Sequence, residues 1–117
     1  MPKKIPTESQ EQQRLVLKLR WLHPELLFFA IPNGGKRNPS EARRLVLEGV
    51  SKGIPDLMLC ESKKGYHGLF IELKRLSKSK TSPEQIEKHQ KLRDRCYQVE
   101  ICHGCDAAYK VILEYIS

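Results

Sequence analysis

The run Leu69-Phe70-Ile71-Glu72-Leu73-Lys74 constrains this chain more than any other feature. It is apolar enough to be a buried β-strand, yet it carries two charges near its end. With a side-chain period of two, Glu72 and Lys74 share a face with Phe70, while Ile71 and Leu73 take the other. Charges inside a central strand are costly unless a partner or a cation offsets them. Upstream, Pro55-Asp56 opens a second apolar run, Leu57-Met58-Leu59-Cys60, and Gly65-Tyr66-His67-Gly68 forms a tight connection between the two. The runs are expected to pair as a hairpin, which brings Asp56 beside the face of Glu72 and Lys74.

Two carboxylates and a lysine converging at a strand edge suit phosphodiester hydrolysis. Hard oxygen ligands hold Mg²⁺ or Mn²⁺, with water filling the remaining positions. Asp56 and Glu72 are then the metal ligands, and the backbone carbonyl of Leu73 is a further candidate. Lys74 would orient the attacking water or offset developing negative charge. The competing reading is an ordinary same-face ion pair on a solvated sheet, which contributes only a fraction of a kcal/mol.

The rest of the chain supplies a frame for these strands. Thr7 caps a helix expected from about Glu8 to Leu22, with Leu15, Leu19 and Leu22 at helical spacing and Val16 beside them. Traced backwards, that stripe passes through Glu11 or Gln12 and then Glu8, so polar groups continue the core-facing line. Phe28-Phe29-Ala30-Ile31 reads as a strand, followed by the turn-rich basic loop Pro32-Asn33-Gly34-Gly35-Lys36-Arg37. Asn38 caps a second helix with Pro39 in its first turn, ending near Gly49. Ser82-Pro83-Glu84-Gln85 starts a third, with Gln85 closing a capping box, and it should end near Arg95. Tyr97-Gln98-Val99-Glu100-Ile101 alternates like a strand, and Asp106 is expected to cap a last helix through Tyr115. The order α-β-α-β-β-α-β-α describes one α/β domain over residues 1–117, a mixed sheet flanked by helices, with a parallel crossover into the last strand. Trp21, Phe28, Phe29, Tyr109 and Tyr115 are assigned to the core by default.

Lysine and arginine total 21 against 14 acids, a formal charge of +7. Such an excess attracts polyanions, nucleic acid first among them. Lys36 and Arg37 on the Gly-Gly loop, Arg43 and Arg44 on the next helix, and Lys78 and Lys80 after Lys74 are candidate phosphate contacts. Asn33-Gly34-Gly35 would let the backbone approach a phosphate closely. No helix-turn-helix or zinc finger is present to read base sequence, so selectivity is expected to be for shape. Of the four cysteines, Cys60 reads as a small core residue, and Cys102-x-x-Cys105 lacks the second pair that a zinc site needs. No apolar run is long enough to span a membrane and the N-terminus has no secretory pattern, so a cytoplasmic protein is expected.

Pro55-Asp56 followed by Gly68-Leu69-Phe70-Ile71-Glu72-Leu73-Lys74 resembles the PD-(D/E)xK nuclease superfamily. More narrowly, the chain is similar to the VRR-NUC (virus-type replication-repair nuclease) family. The supporting segments run in the family's order: Thr7-Glu8 through Gln12, Ile31 through Arg37, Glu48-Gly49-Val50 with Gly53-Ile54-Pro55-Asp56, Tyr66 through Lys74, and Ser82-Pro83-Glu84-Gln85. The resemblance implies a restriction-endonuclease-like core, Mg²⁺ or Mn²⁺ dependence and DNA cleavage. Stand-alone chains of this size resemble homodimeric resolvases of branched DNA such as Holliday junctions, in a bacterial or phage-infected cell. It implies Asp56 and Glu72 as metal ligands and Lys74 as the catalytic lysine. It also implies Glu8 as a first-helix acid, with Glu11 the alternative, and Gln85 as a motif glutamine near the active site. Cys96 stands at a turn where many relatives place glycine. Two other readings compete: a non-catalytic DNA-binding module on a nuclease fold, and a sequence-specific restriction-type nuclease.

Overall fold

The computed structural model describes residues 4–32, 38–77 and 79–117. Its elements are α1 (Glu8–Leu22), β1 (Phe28–Ala30), α2 (Pro39–Leu47), β2 (Leu57–Leu59), β3 (Leu69–Lys74), α3 (Pro83–Arg93), β4 (Gln98–His103) and α4 (Cys105–Ile116). This is the element order expected from the sequence. No helix among the described residues is long and apolar enough to cross a membrane.

The four strands form one mixed sheet in the order β1-β2-β3-β4. β2 and β3 pair antiparallel, with Leu57 opposite Ile71 and Leu59 opposite Leu69. One step further along that register, Asp56 falls opposite Glu72, and the Asp56 amide donates to the Ile71 carbonyl at 3.0 Å. α3 then carries the chain over the sheet, so that β4 lies parallel to β3 with Lys74 opposite His103. β3 is therefore flanked on both sides, and all six of its residues are buried.

The alternation of β3 divides the molecule. Leu69, Ile71 and Leu73 join Leu57, Leu59 and Cys102 in the main core, beneath Leu15 and Leu19 of α1 and Ala108, Ile112 and Tyr115 of α4. The opposite face carries Phe70, Glu72 and Lys74 under α3, with the Phe70 and Tyr97 rings in edge contact at 5.3 Å. α2 has no buried residue.

Several expectations are corrected. Asp106 does not cap α4. The cap position falls two residues earlier, on Gly104 at φ +92°, a left-handed conformation that favours glycine. The acceptor comes instead from Glu11, whose Oε1 takes the Cys105 amide hydrogen at 3.2 Å. Glu11 is 1% exposed, so α1 and α4 are joined by a buried carboxylate at a helix N-terminus. Trp21 is 78% exposed, because it lies about 200° around α1 from the core-facing Leu19. Leu22, at the last turn, and Phe29, on the edge strand, are also exposed, whereas Tyr115 is buried. Phe28 and Tyr109 are half-buried against the core. Cys60 is exposed just past the end of β2. Cys102 and Cys105 are buried free thiols, and burial pushes Cys102 up to about 12. Cys96 takes φ 66°, filling the left-handed turn that glycine would fill without strain.

Replacing Glu11 with alanine should leave the Cys105 amide buried without its acceptor, at a cost of about 1–3 kcal/mol. Urea unfolding should show that loss, and Glu11→Gln, which keeps an amide oxygen, should lose less.

Candidate active site

At the edge of the sheet where β2 begins and β3 ends, a cleft of about 690 Å³ opens to solvent. Glu8 and Gln12 line it from α1, Lys52 and Asp56 from the approach to β2, Glu72 and Lys74 from β3, and Gln85 from α3. The cleft therefore gathers the side chains that the strand pattern had grouped, together with one face of the first helix.

Asp56 is half-buried, and its Oδ2 accepts the Leu73 amide hydrogen at 2.7 Å. That bond fixes the carboxylate to the backbone between Glu72 and Lys74. Glu72 is 3% exposed. Burial above all, and then the Asp56 carboxylate beside it, pushes its pKa from 4.5 to about 8. Lys74, 7% exposed, lies with Nζ 3.9 Å from Glu72 Oε2 and donates to Gln85 Oε1 at 3.1 Å. The same Gln85 oxygen accepts the Ser82 amide hydrogen at 2.9 Å. One side chain thus closes the capping box of α3 and holds the lysine.

The two candidate acids of α1 go to different places. Glu8 and Gln12, one turn apart, face the cleft. Glu11 and Leu15, also one turn apart, face the buried junction with α4. The second oxygen of Glu11 is buried there without a hydrogen-bond partner. A carboxylate at the cleft is thus supplied by Glu8.

Gly53, at φ +88°, joins the two walls. A Cβ on it would come within 2.3 Å of the Glu84 carbonyl oxygen, so only glycine lets the loop before Asp56 lie against the backbone that begins α3.

The basic candidates are less concentrated. Arg43 and Arg44 sit on α2 outside the cleft, and Arg44 pairs with Glu48 at 3.0 Å. Lys80 lines a separate recess with Leu76 and His103. Asn33, Gly34, Lys36, Arg37 and Lys78 lie outside the described residues. Two residues of the site escaped sequence reasoning. Lys52 lines the cleft four positions before Asp56. His89 lies buried on α3 with Nε2 3.6 Å from Glu72 Oε1, and burial pushes its pKa down. The available signal for His89 was its spacing, one helical turn beyond Gln85.

Among the described residues, no three His, Cys, Asp or Glu side chains converge as a ready-made metal cluster. The adjacent pair Asp56 and Glu72 is a hard-oxygen donor set that fits a divalent cation retaining water or taking a backbone carbonyl. A buried Glu72 Oε1 without a hydrogen-bond partner points the same way.

The model of the VRR-NUC domain matches residues 7–106. The chain belongs to the VRR-NUC family. A solved VRR-NUC domain protein superposes with a TM-score of 0.83 at 26% identity, covering 97% of this chain and 91% of that one. A second solved VRR-NUC domain, 20% identical, shares the fold with a TM-score of 0.61 over 94% of this chain and 99% of its own. Among curated proteins no significant match was found. This VRR-NUC chain thus has a nuclease fold, and its family implies DNA as the substrate.

The raised pKa of Glu72 has a stability consequence. Because the folded state holds this proton more tightly than the unfolded chain, its contribution is complete below about pH 4.5 and is lost as pH rises through about 8. Melting curves in chelator from pH 5 to 9 should fall over that window, and Glu72→Gln should flatten the decline.

Proposed function

We propose that this VRR-NUC chain is a single-domain, Mg²⁺- or Mn²⁺-dependent endonuclease that selects DNA by its structure. The carrying observation is the burial of Glu72 and Lys74 on one face beside Asp56, at the floor of an open cleft. Asp56 and Glu72 would hold the cation, with the Leu73 carbonyl as a further ligand and Glu8 reaching in from α1. A cation bound there supplies Lewis acidity at the scissile phosphate and a water of lowered pKa. Lys74, held by Gln85, places its ammonium where it can orient the attacking water or offset charge on the phosphate. Lys52 at the rim extends positive charge toward the DNA backbone, beyond the phosphate contacts expected from Arg43, Arg44 and Lys80.

The favoured substrate is branched DNA, and the favoured assembly is a homodimer. A four-way junction presents two equivalent strands, which a two-fold enzyme would meet with two sites. The exposed Leu17 and Trp21, one turn apart on the outer side of α1, offer apolar surface for a second copy. Light scattering should report a dimer for the wild type and a shift toward monomer for Trp21→Glu.

Cleavage assays on a labelled four-way junction, a duplex and single strands test the activity, each with Mg²⁺, Mn²⁺ or chelator. The junction should be cut only with metal. Lys74→Ala and Asp56→Asn should each reduce cutting at least about a hundredfold while most DNA binding remains. Binding without cutting under every metal would instead favour a non-catalytic DNA-binding module.

A further inference from the structure

His89 is 1% exposed, yet its Nε2 has no hydrogen-bond partner among the described residues. The atom it faces at 3.6 Å, Glu72 Oε1, is buried and equally unpartnered. Two buried polar atoms in a native fold are seldom left unsatisfied side by side. The other Glu72 oxygen, Oε2, lies on the Lys74 side.

The spacing of α3 explains why a histidine stands at this position. Gln85 and His89 are one turn apart, about 6 Å along a helix. Glu72 and Lys74 are two residues apart, about 6.6 Å along a strand. The two intervals match closely enough for one helix face to address both side chains, Gln85 taking Lys74 and His89 taking Glu72.

We propose that His89 is a positioning residue: its Nε2–H holds Glu72 Oε1 and thereby presents Glu72 Oε2 to the divalent cation. Closing 3.6 Å to a normal hydrogen bond requires a shift of only about 0.7 Å, within the reach of small χ adjustments. Partners that orient metal-binding carboxylates in this way commonly contribute about ten- to a hundredfold in metal affinity. The inference rests on the reading of Asp56 and Glu72 as metal ligands, and the test separates the two.

The experiment is Mn²⁺ titration of the intact protein, with free Mn²⁺ read by electron paramagnetic resonance and folding checked by melting in chelator. The variants are Asp56→Asn, His89→Leu, His89→Gln and His89→Asn. Glutamine places its amide nitrogen near the position of Nε2, whereas the shorter asparagine falls away from Glu72. Wild type should bind Mn²⁺ and Asp56→Asn should not; equal binding by these two overturns the metal-site reading itself. With that established, His89→Leu and His89→Asn should weaken Mn²⁺ about ten- to a hundredfold, and His89→Gln should stay within about threefold of wild type. Wild-type affinity in His89→Leu overturns the role of His89 alone. If His89→Leu does not fold, the glutamine–asparagine pair decides, and equal affinities in those two overturn it.

Discussion

The structure turns on the burial of a glutamate and a lysine in its central strand. Removing Glu72 and Lys74 from water is costly, and a pair 3.9 Å apart does not by itself offset that cost. The surroundings are arranged around the problem. Asp56 anchors itself on the Leu73 amide and crowds Glu72, which favours the protonated form of that carboxyl. One N–H of the Lys74 ammonium is taken by Gln85 Oε1. Burial and the neighbouring carboxylate thus favour a protonated Glu72 in the absence of a cation, and a cation bound there would have to displace that proton.

Helices α1, α3 and α4 tie this centre to the rest of the fold. α3 brings a capping glutamine whose oxygen is shared between the helix start and the lysine, so local helix grammar and site geometry are satisfied by one group. Gly53 lets the loop before Asp56 close against the same helix start. On the other side, the Glu11 carboxylate caps α4, while the Gly104 amide donates to the Lys74 carbonyl at 2.9 Å. The end of β3, the start of α4 and the rotation of α1 are linked through neighbouring residues. That linkage sets which face of α1 meets the cleft, and hence why Glu8 and Gln12 line it.

Where the determinants were local, the sequence was legible. Thr7 and Ser82 are side-chain caps acting within three residues, and α1 and α3 begin where those caps place them. Strand β3 was bounded by Gly68 and by its own alternation, and the hairpin register brought Asp56 to Glu72. The failures came from distance. Asp106 has the chemistry of a cap, but the real acceptor is Glu11, 94 residues before Cys105 in sequence. Cys60 has the chemistry of a core residue, but the early end of β2 exposes it, whereas the exposure of Trp21 was a local signal, its position about 200° around α1 from Leu19. His89 shares a helix face with Gln85 by its spacing, but the packing of α3 on β3 was needed to show that it meets Glu72. The basic residues of α2 illustrate the same limit, since sequence fixed their helix but not its place outside the cleft.

Crystals of the protein grown or soaked with Mn²⁺ provide the most direct measurement, through the anomalous scattering of the metal. The account predicts one strong peak between the carboxylates of Asp56 and Glu72, beside the Lys74 ammonium, that disappears in Asp56→Asn. A well-ordered structure with no peak there, or with Mn²⁺ bound only at unrelated surface carboxylates, would contradict it.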